Sequence, residues 1–386
     1  MSPEGENFVL RFGGNMNRNH VTKIGALTLA IAATFAFSIQ IAAAKTKAKQ
    51  QGLWIGGEKY FSEFQGKALK QSGPNHANLA FGSNLYFAPE SIAFDTHENL
   101  WAVFQGINDN LSSPALEVTR GELASLKAGN LVQPKVIISR QGNSTLPFVN
   151  PESIGFDAAG DLWVVDGGQQ IIELLASQIE KSGGPTPEIT ITSSNATPFR
   201  LRFDASDNLW VVETQLPFNP TNPIQLWRFA PGDRMSSGSA NPSLIVNLPD
   251  LFFFVDLAFD SSGNLWIAGP GSHGDALEMI SASNLTGNGE VSPPATVTVT
   301  SSAFGTLLGS GSCLGGIDFD SSSNLWVSVG TDNADCDGNT TTQVVAFTPA
   351  QLSTGGNLTP SVAIVQNKKK TNVFLPGPLR FGPTVQ

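Results

Sequence analysis

Apolar and polar residues alternate along most of this chain in short runs, each cut off by Gly, Pro, Asn, Asp or Ser. Alternation with a period of two marks half-buried strands, and clustered turn formers mark their ends. One pattern returns five times, as "FDTHENLW" (94–101), "FDAAGDLW" (156–163), "FDASDNLW" (203–210), "FDSSGNLW" (259–266) and "FDSSSNLW" (319–326). The residues before each Phe ("SIAF", "SIGF") read as a strand, and Asp with Ser, Gly or Asn reads as a tight turn. "NLWVV" then starts a second strand, so the unit is a β-hairpin. Two more strands follow each hairpin, as in "QIIELL" and "EITIT" on either side of "ASQIEKSGGPTP". The segment between them reads as one helical turn. Thr348 with Gln351, and Thr119 with Glu122, are spaced as capping boxes. Each repeat therefore predicts strand A, turn, strand B, loop, strand C, helical turn and strand D, which is a propeller blade.

The two ends complete the pattern. Gly52 to Phe81 starts at the Leu-Trp of a strand B and continues through C ("YFSEF") and D ("ANLAF") without a strand A. The closing "GPLRFGPTVQ" supplies a strand A with nothing after it. The sequence thus predicts an all-β, six-bladed β-propeller with four antiparallel strands per blade. The C-terminal strand A would join the N-terminal strands B to D, which removes the two exposed edges of an open array. Trp54, Trp101, Trp163, Trp210, Trp266 and Trp326 then share one blade position, and Trp227 lies apart in a strand C.

Composition sharpens this. The 386 residues hold 39 Gly and 24 Pro but only 14% charged side chains, which suits a β-rich globular chain. A net charge of −10 disfavours nucleic acid as a partner. Residues 16–50 carry the basic flank Arg18 and Lys23, an apolar stretch from Ile24 to Ile41, and the small-residue run Ala42-Ala43-Ala44. That order is an export signal. The expected organisation is a leader over residues 1–44 and a propeller over 45–386, delivered to the periplasm or the cell exterior, with an uncleaved N-terminal membrane anchor as the alternative. No later stretch reads as a membrane span. Cys313 and Cys336, the two cysteines, suit one disulfide in an exported protein.

In a four-stranded meander the B-to-C and D-to-A connections share one face. The B-to-C segments vary widely in length, including 105–114, 214–223 and 330–342, and variable loops on one face point to a binding face. Residues entering strand A from that face include Glu90, Glu152, Arg200 and Asp256, and two B strands end there in Asp166 and Glu213. These carboxylates are expected around a central channel with Arg200 opposing them. Converging carboxylates raise one another's pKa or hold a hard cation, so Glu90, Glu152 and Asp256 are candidate ligands for Ca²⁺ or Mg²⁺. The alternative is an acidic mouth neutralised by Arg200. Asn333, Asp335 and Asp337 are spaced like the start of a calcium loop, although Val344 stands where that loop ends in Glu. His273, in "GPGSHGDA", is the histidine placed on the variable face for acid–base work.

"PESIAFDTHENLWAV" and "PESIGFDAAGDLWVVD" resemble NHL repeats, and the resemblance covers the chain after the leader. It implies a six-bladed, TolB-like propeller. Two enzyme families are similar in architecture. The gluconolactonase and senescence-marker-protein family implies a divalent metal held by Glu, Asn and Asp at inner strand starts. Glu90 and Glu152 match such positions, Val255 and Gly315 do not, and Asp256 is one place off. Virginiamycin B lyase implies a His with magnesium, for which His273 is the counterpart. The expectation is a monomeric binding or interaction module for a protein, carbohydrate or small molecule. The alternative is a metal-dependent, lactonase-like hydrolase or a lyase using the carboxylate ring; whether the chain is an enzyme stays open at this point.

Overall fold

The computed structural model describes residues 51–384 except 58–59, 76, 78, 83–88, 105–114, 119, 126–133, 140–147, 149, 195, 216–223, 249–255, 272–273, 305–313, 331–341 and 366–376. Leader residues, Cys313, Cys336, His273, Asn333, Asp335 and Asp337 lie outside the described residues, as do most of the long B-to-C connections. The compact unit Gln50–Gln386 is an all-β propeller. Its described strands form six sheets, each a meander, named below after the tryptophan of its strand B.

The terminal strands meet as the repeat pattern requires. Leu379–Pro383 pairs antiparallel with Gln51–Gly56, placing Phe381 opposite Leu53 and Leu379 opposite Ile55. Gly56 N–H donates to the Pro378 carbonyl at 3.0 Å, and Gly316 N–H donates to the Gly377 carbonyl at 3.0 Å. A side chain on Gly316 would collide with the backbone of Pro378 and Leu379, so glycine permits that close approach. The six innermost strands neighbour one another in a closed circuit, ending where Leu379–Pro383 meets Ser91–Phe94.

The repeated octapeptide explains itself physically. Asp95 Oδ1 accepts from the backbone N–H of His97 and Asn99, and its Oδ2 accepts from Asn99 Nδ2 and Trp101 Nε1. The same four bonds recur on Asp204, Asp260 and Asp320. One carboxylate therefore ties the turn to the tryptophan that anchors the next strand. Each of these tryptophans also meets the motif Phe of the following sheet. The pairs run Trp54–Phe94, Trp101–Phe156, Trp163–Phe203, Trp210–Phe259, Trp266–Phe319 and Trp326–Phe381, with centroids 5.7 to 6.4 Å apart. Edge-to-face pairs of this kind add about 0.5–1.5 kcal/mol each beyond their buried area, so the sequence motif is also the seam between sheets. In the Trp54 sheet, where Gly382 replaces the motif Asp, Trp54 Nε1 donates to the Pro383 carbonyl instead, at 3.2 Å.

The expected helical turns are present, and Thr348 caps Pro349–Thr354 through the Gln351 backbone N–H, with the Gln351 side chain answering. The expectation of four strands per sheet needs amendment. Gly238–Ser239, Gly289–Val291 and Gly356–Asn357 each add a fifth, parallel strand to the outer edge of the preceding sheet. Gly73 and Gly183 make single parallel bridges to Ile364 and Ile138 in the same manner. Each reaching segment carries a glycine at positive φ, because the chain must turn sharply out of the helical turn to lie along the neighbour. These latches cover outer edges that would otherwise invite strand addition.

Candidate functional site

Among the described residues, three strands A bulge where they leave the variable face: between Pro151 and Ser153, between Pro198 and Arg200, and between Leu314 and Ile317. A bulge re-aims the side chain it carries. Here the residues out of register include Glu152, expected at the channel mouth, and Phe199, the neighbour of Arg200.

Arg200 is the hub of that mouth. Its guanidinium lies 4.1 Å from the Phe199 ring centre, donates to the Glu152 carbonyl at 3.1 Å, and sits 3.7 Å from the Glu152 carboxylate. Glu152 also accepts from Asn150 Nδ2 at 2.5 Å, and Asn150 N–H donates to Asp166 Oδ1 at 2.6 Å. Burial raises the Glu90 carboxyl above its ordinary range, and the positive charge of Arg200 partly offsets this. Asn150 thus links Glu152 to Asp166, and Arg200 acts on both Glu152 and Glu90.

Glu213 behaves differently. It is fully buried, neither carboxyl oxygen has a partner, and burial pushes its pKa well above the ordinary range. It shares its strand face with Leu209 and Val211, which pack against the Trp163 sheet. The expected channel-mouth carboxyl therefore lies inside a seam between sheets, where burial favours its neutral form.

Asp256 is also redirected. Its Oδ2 meets Arg380 Nη1 at 2.9 Å, Arg202 Nη2 at 3.3 Å and Ile317 N–H at 3.1 Å, and its Oδ1 accepts from Leu257 N–H. Although burial pushes the other way, the arginines around it leave the carboxyl below its ordinary value. With its oxygens committed to these donors, Asp256 offers a cation little. Arg202 further donates to the carbonyls of Leu257 and Ile317, bridging three inner strands. Its own pKa is lowered to about 10, first by burial and then by Arg380. Asp318 Oδ2 accepts from Phe381 N–H at 2.7 Å, so the closing strand is held from two sides. Sequence reasoning missed Arg202, Asp318 and Arg380. Each stands one residue before a motif Phe, and aligning that position across repeats would have exposed them.

A second acidic group lies on the opposite, turn-bearing face. Asp157, Asp161 and Glu173 bring one carboxylate oxygen each within 4.8 Å of the others, so they could hold a metal ion. The Asn of the motif is Asp161 in this repeat, and the missing donor to Asp157 Oδ2 is replaced by Arg234 Nη1 at 3.0 Å. Arg234 also pairs with Asp207 and lies 5.0 Å and 5.1 Å from the ring centres of Trp163 and Phe203. Glu173 is raised to about 7, chiefly by burial and then by Asp161 and Asp157.

No family model matches this chain, and no curated protein matches it. Among solved structures it is similar to a protein of unknown function from Bacteroides caccae, with 12% identity and a TM-score of 0.53, over 86% of this chain and 99% of that one. It also matches a candidate gluconolactonase (14% identity, TM-score 0.39, 68% of this chain and 78% of that one). A luciferin-regenerating enzyme matches at 14% identity and a TM-score of 0.43, over 69% of this chain and 74% of that one. At these identities the likeness is one of fold.

Proposed function

We propose that this chain is an exported, six-bladed, NHL-like propeller that acts as a binding module through the face carrying the long B-to-C connections. The observation that carries this reading is the Arg202–Asp256–Arg380 cluster, which engages an acid expected to be a metal ligand and ties inner strands together. Such a centre makes a stiff frame with a shaped mouth, in which Arg200, Glu152 and Glu90 present polar groups to a ligand. Six sheets with inner strands in a closed circuit support the blade count, and the basic, apolar and small-residue order of residues 16–50 supports export. No helix among the described residues is long and apolar enough to cross a membrane.

The metal-dependent hydrolase is the second reading, and Asp157, Asp161 and Glu173 are the observation that keeps it. A thermal shift with Ca²⁺, Mg²⁺ and Mn²⁺ separates the two. The binding module predicts no cation response from the channel mouth. A stabilisation abolished by Glu90→Gln with Glu152→Gln, accompanied by turnover of a lactone panel, would overturn it. A stabilisation abolished only by Asp161→Asn would place a cation on the turn face; with turnover of the same panel it would favour the hydrolase, and without turnover it would leave the binding module standing.

A further inference from the structure

On the turn face, the seam between the Trp266 and Trp326 sheets opens into a cleft of about 520 Å³. Its floor is apolar, built from Trp266, Met279, Val297, Phe319 and Leu352. Ser261, Ser262, Ser322, Ser323 and Ser353 complete the lining, and the Ser353 hydroxyl, which donates to the Ala350 carbonyl, keeps its lone pairs for accepting. The size falls in the range of small-molecule sites, and an apolar floor with a few polar groups is their usual lining.

The same place in the seam between the Trp163 and Trp210 sheets is filled by the protein itself. Register makes the correspondence residue by residue. Trp163 pairs with Glu173, which pairs with Ile189, whereas Trp266 pairs with Met279, which pairs with Val297. The helical turns align as Pro231 to Arg234 with Pro349 to Leu352, and the tight turns place Asp161 with Asn264 and Asp207 with Ser323. In the first seam Arg234 lies across Trp163 and Phe203 and bonds to Asp157 and Asp207. In the second, four of the five charged residues have neutral counterparts: Asp161 becomes Asn264, Glu173 becomes Met279, Asp207 becomes Ser323, and Arg234 becomes Leu352, while Asp157 remains an acid as Asp260. The one lining acid, Asp260, has both oxygens committed to Ser262, Asn264 and Trp266.

With its one acid committed to its own turn and serines around it, the cleft offers a cation no free carboxylate and an anion no basic partner. It suits a neutral molecule with an apolar face and many hydroxyls. We propose that this cleft binds a neutral saccharide of one or two rings, its C–H face on Met279 and Val297 and its hydroxyls exchanging donors and acceptors with the serines. The site lies opposite the channel mouth and does not depend on what binds there.

Methionine methyl groups provide the test. Met279 lies in the cleft floor, and Met235, 77% exposed beside the Arg234 plug, serves as an internal control. Protein labelled with ¹³C at the methionine methyls is titrated with glucose, galactose, cellobiose and N-acetylglucosamine, and separately with arginine and hexanol. The expected result is a saturable shift of the Met279 signal with at least one saccharide below roughly 50 mM, with Met235 unmoved. Leu352→Arg with Ser323→Asp, which installs the plug, should abolish the shift while the Met235 signal and the melting curve persist. Should that variant fail to fold, Ser322→Ala with Ser353→Ala should instead weaken saccharide binding several-fold. The proposal falls if no saccharide moves Met279, if arginine or hexanol moves it and the sugars do not, or if neither variant reduces the shift.

Discussion

The seam beside Trp163 and the seam beside Trp266 have the same backbone plan and opposite chemistry. In the first, a buried guanidinium joins two aromatic rings and two carboxylates. In the second, neutral side chains leave a cleft. The difference teaches that the propeller frame does not depend on what fills the space below the tight turns. The backbone N–H and Trp Nε1 bonds to the motif Asp, and the Trp–Phe contact, are made in both. What fills the space is free to vary, provided its charges vary together. Asp161 without Arg234 would leave Asp157 short of a donor, and Arg234 without the acids would be a buried, unanswered cation.

The sharpest way to break the comparison is Arg234→Ala. It should destabilise the protein by about 3–5 kcal/mol, because Asp157 and Asp207 lose their shared cation. Denaturant melts measure this. Conversion of the whole set (Asp161→Asn, Glu173→Met, Asp207→Ser and Arg234→Leu) should recover most of the loss. If the fourfold variant is no more stable than Arg234→Ala, the two seams are not interchangeable.

Glu173 gives a smaller, pH-dependent effect. Its folded-state pKa of about 7 lies above the ordinary 4.5, so the folded protein holds this proton more tightly than the unfolded chain. Its contribution is present below the unfolded value and is lost as pH rises toward 7. Glu173→Gln should therefore gain on the order of 1–3 kcal/mol over wild type at pH 8 and almost nothing at pH 4. Melting curves across that range test it, and a difference that does not change with pH would refute the assignment.

The smallest expected effect concerns the outer latches. Gly355 and Gly356 sit at φ +63 and +84, and Gly356 pairs with Val299 in the Trp266 sheet. Gly356→Ala should cost roughly 1 kcal/mol through the strained backbone. It should also speed amide hydrogen exchange at Leu358, whose N–H donates to the Thr300 carbonyl.

Much of the fold was legible because it repeats. The octapeptide carries its own hydrogen bonds, so Asp95 and Trp101 could be assigned without seeing a neighbour. The split sheet was legible because strand A and strands B to D are separately recognisable at the two ends. Glu152 and Arg200, which the sequence places where strand A leaves the variable face, lie 3.7 Å apart. The fifth strands were not legible. A two-residue segment such as Gly238–Ser239 has no period, and only the neighbouring sheet makes it a strand.

The sequence by itself determined the meander, the tight turns, the tryptophan seams and the meeting of the two ends, because each rests on bonds within one repeat or on a motif present in all. Tertiary structure alone decided which charges are partners. Asp256 became the centre of an arginine pair, Glu213 became a buried carboxyl in a seam, and Arg234 filled one seam while its counterpart Leu352 left another open. Charge is a long-range property, and its meaning at a given residue depends on burial and on side chains that arrive from other sheets.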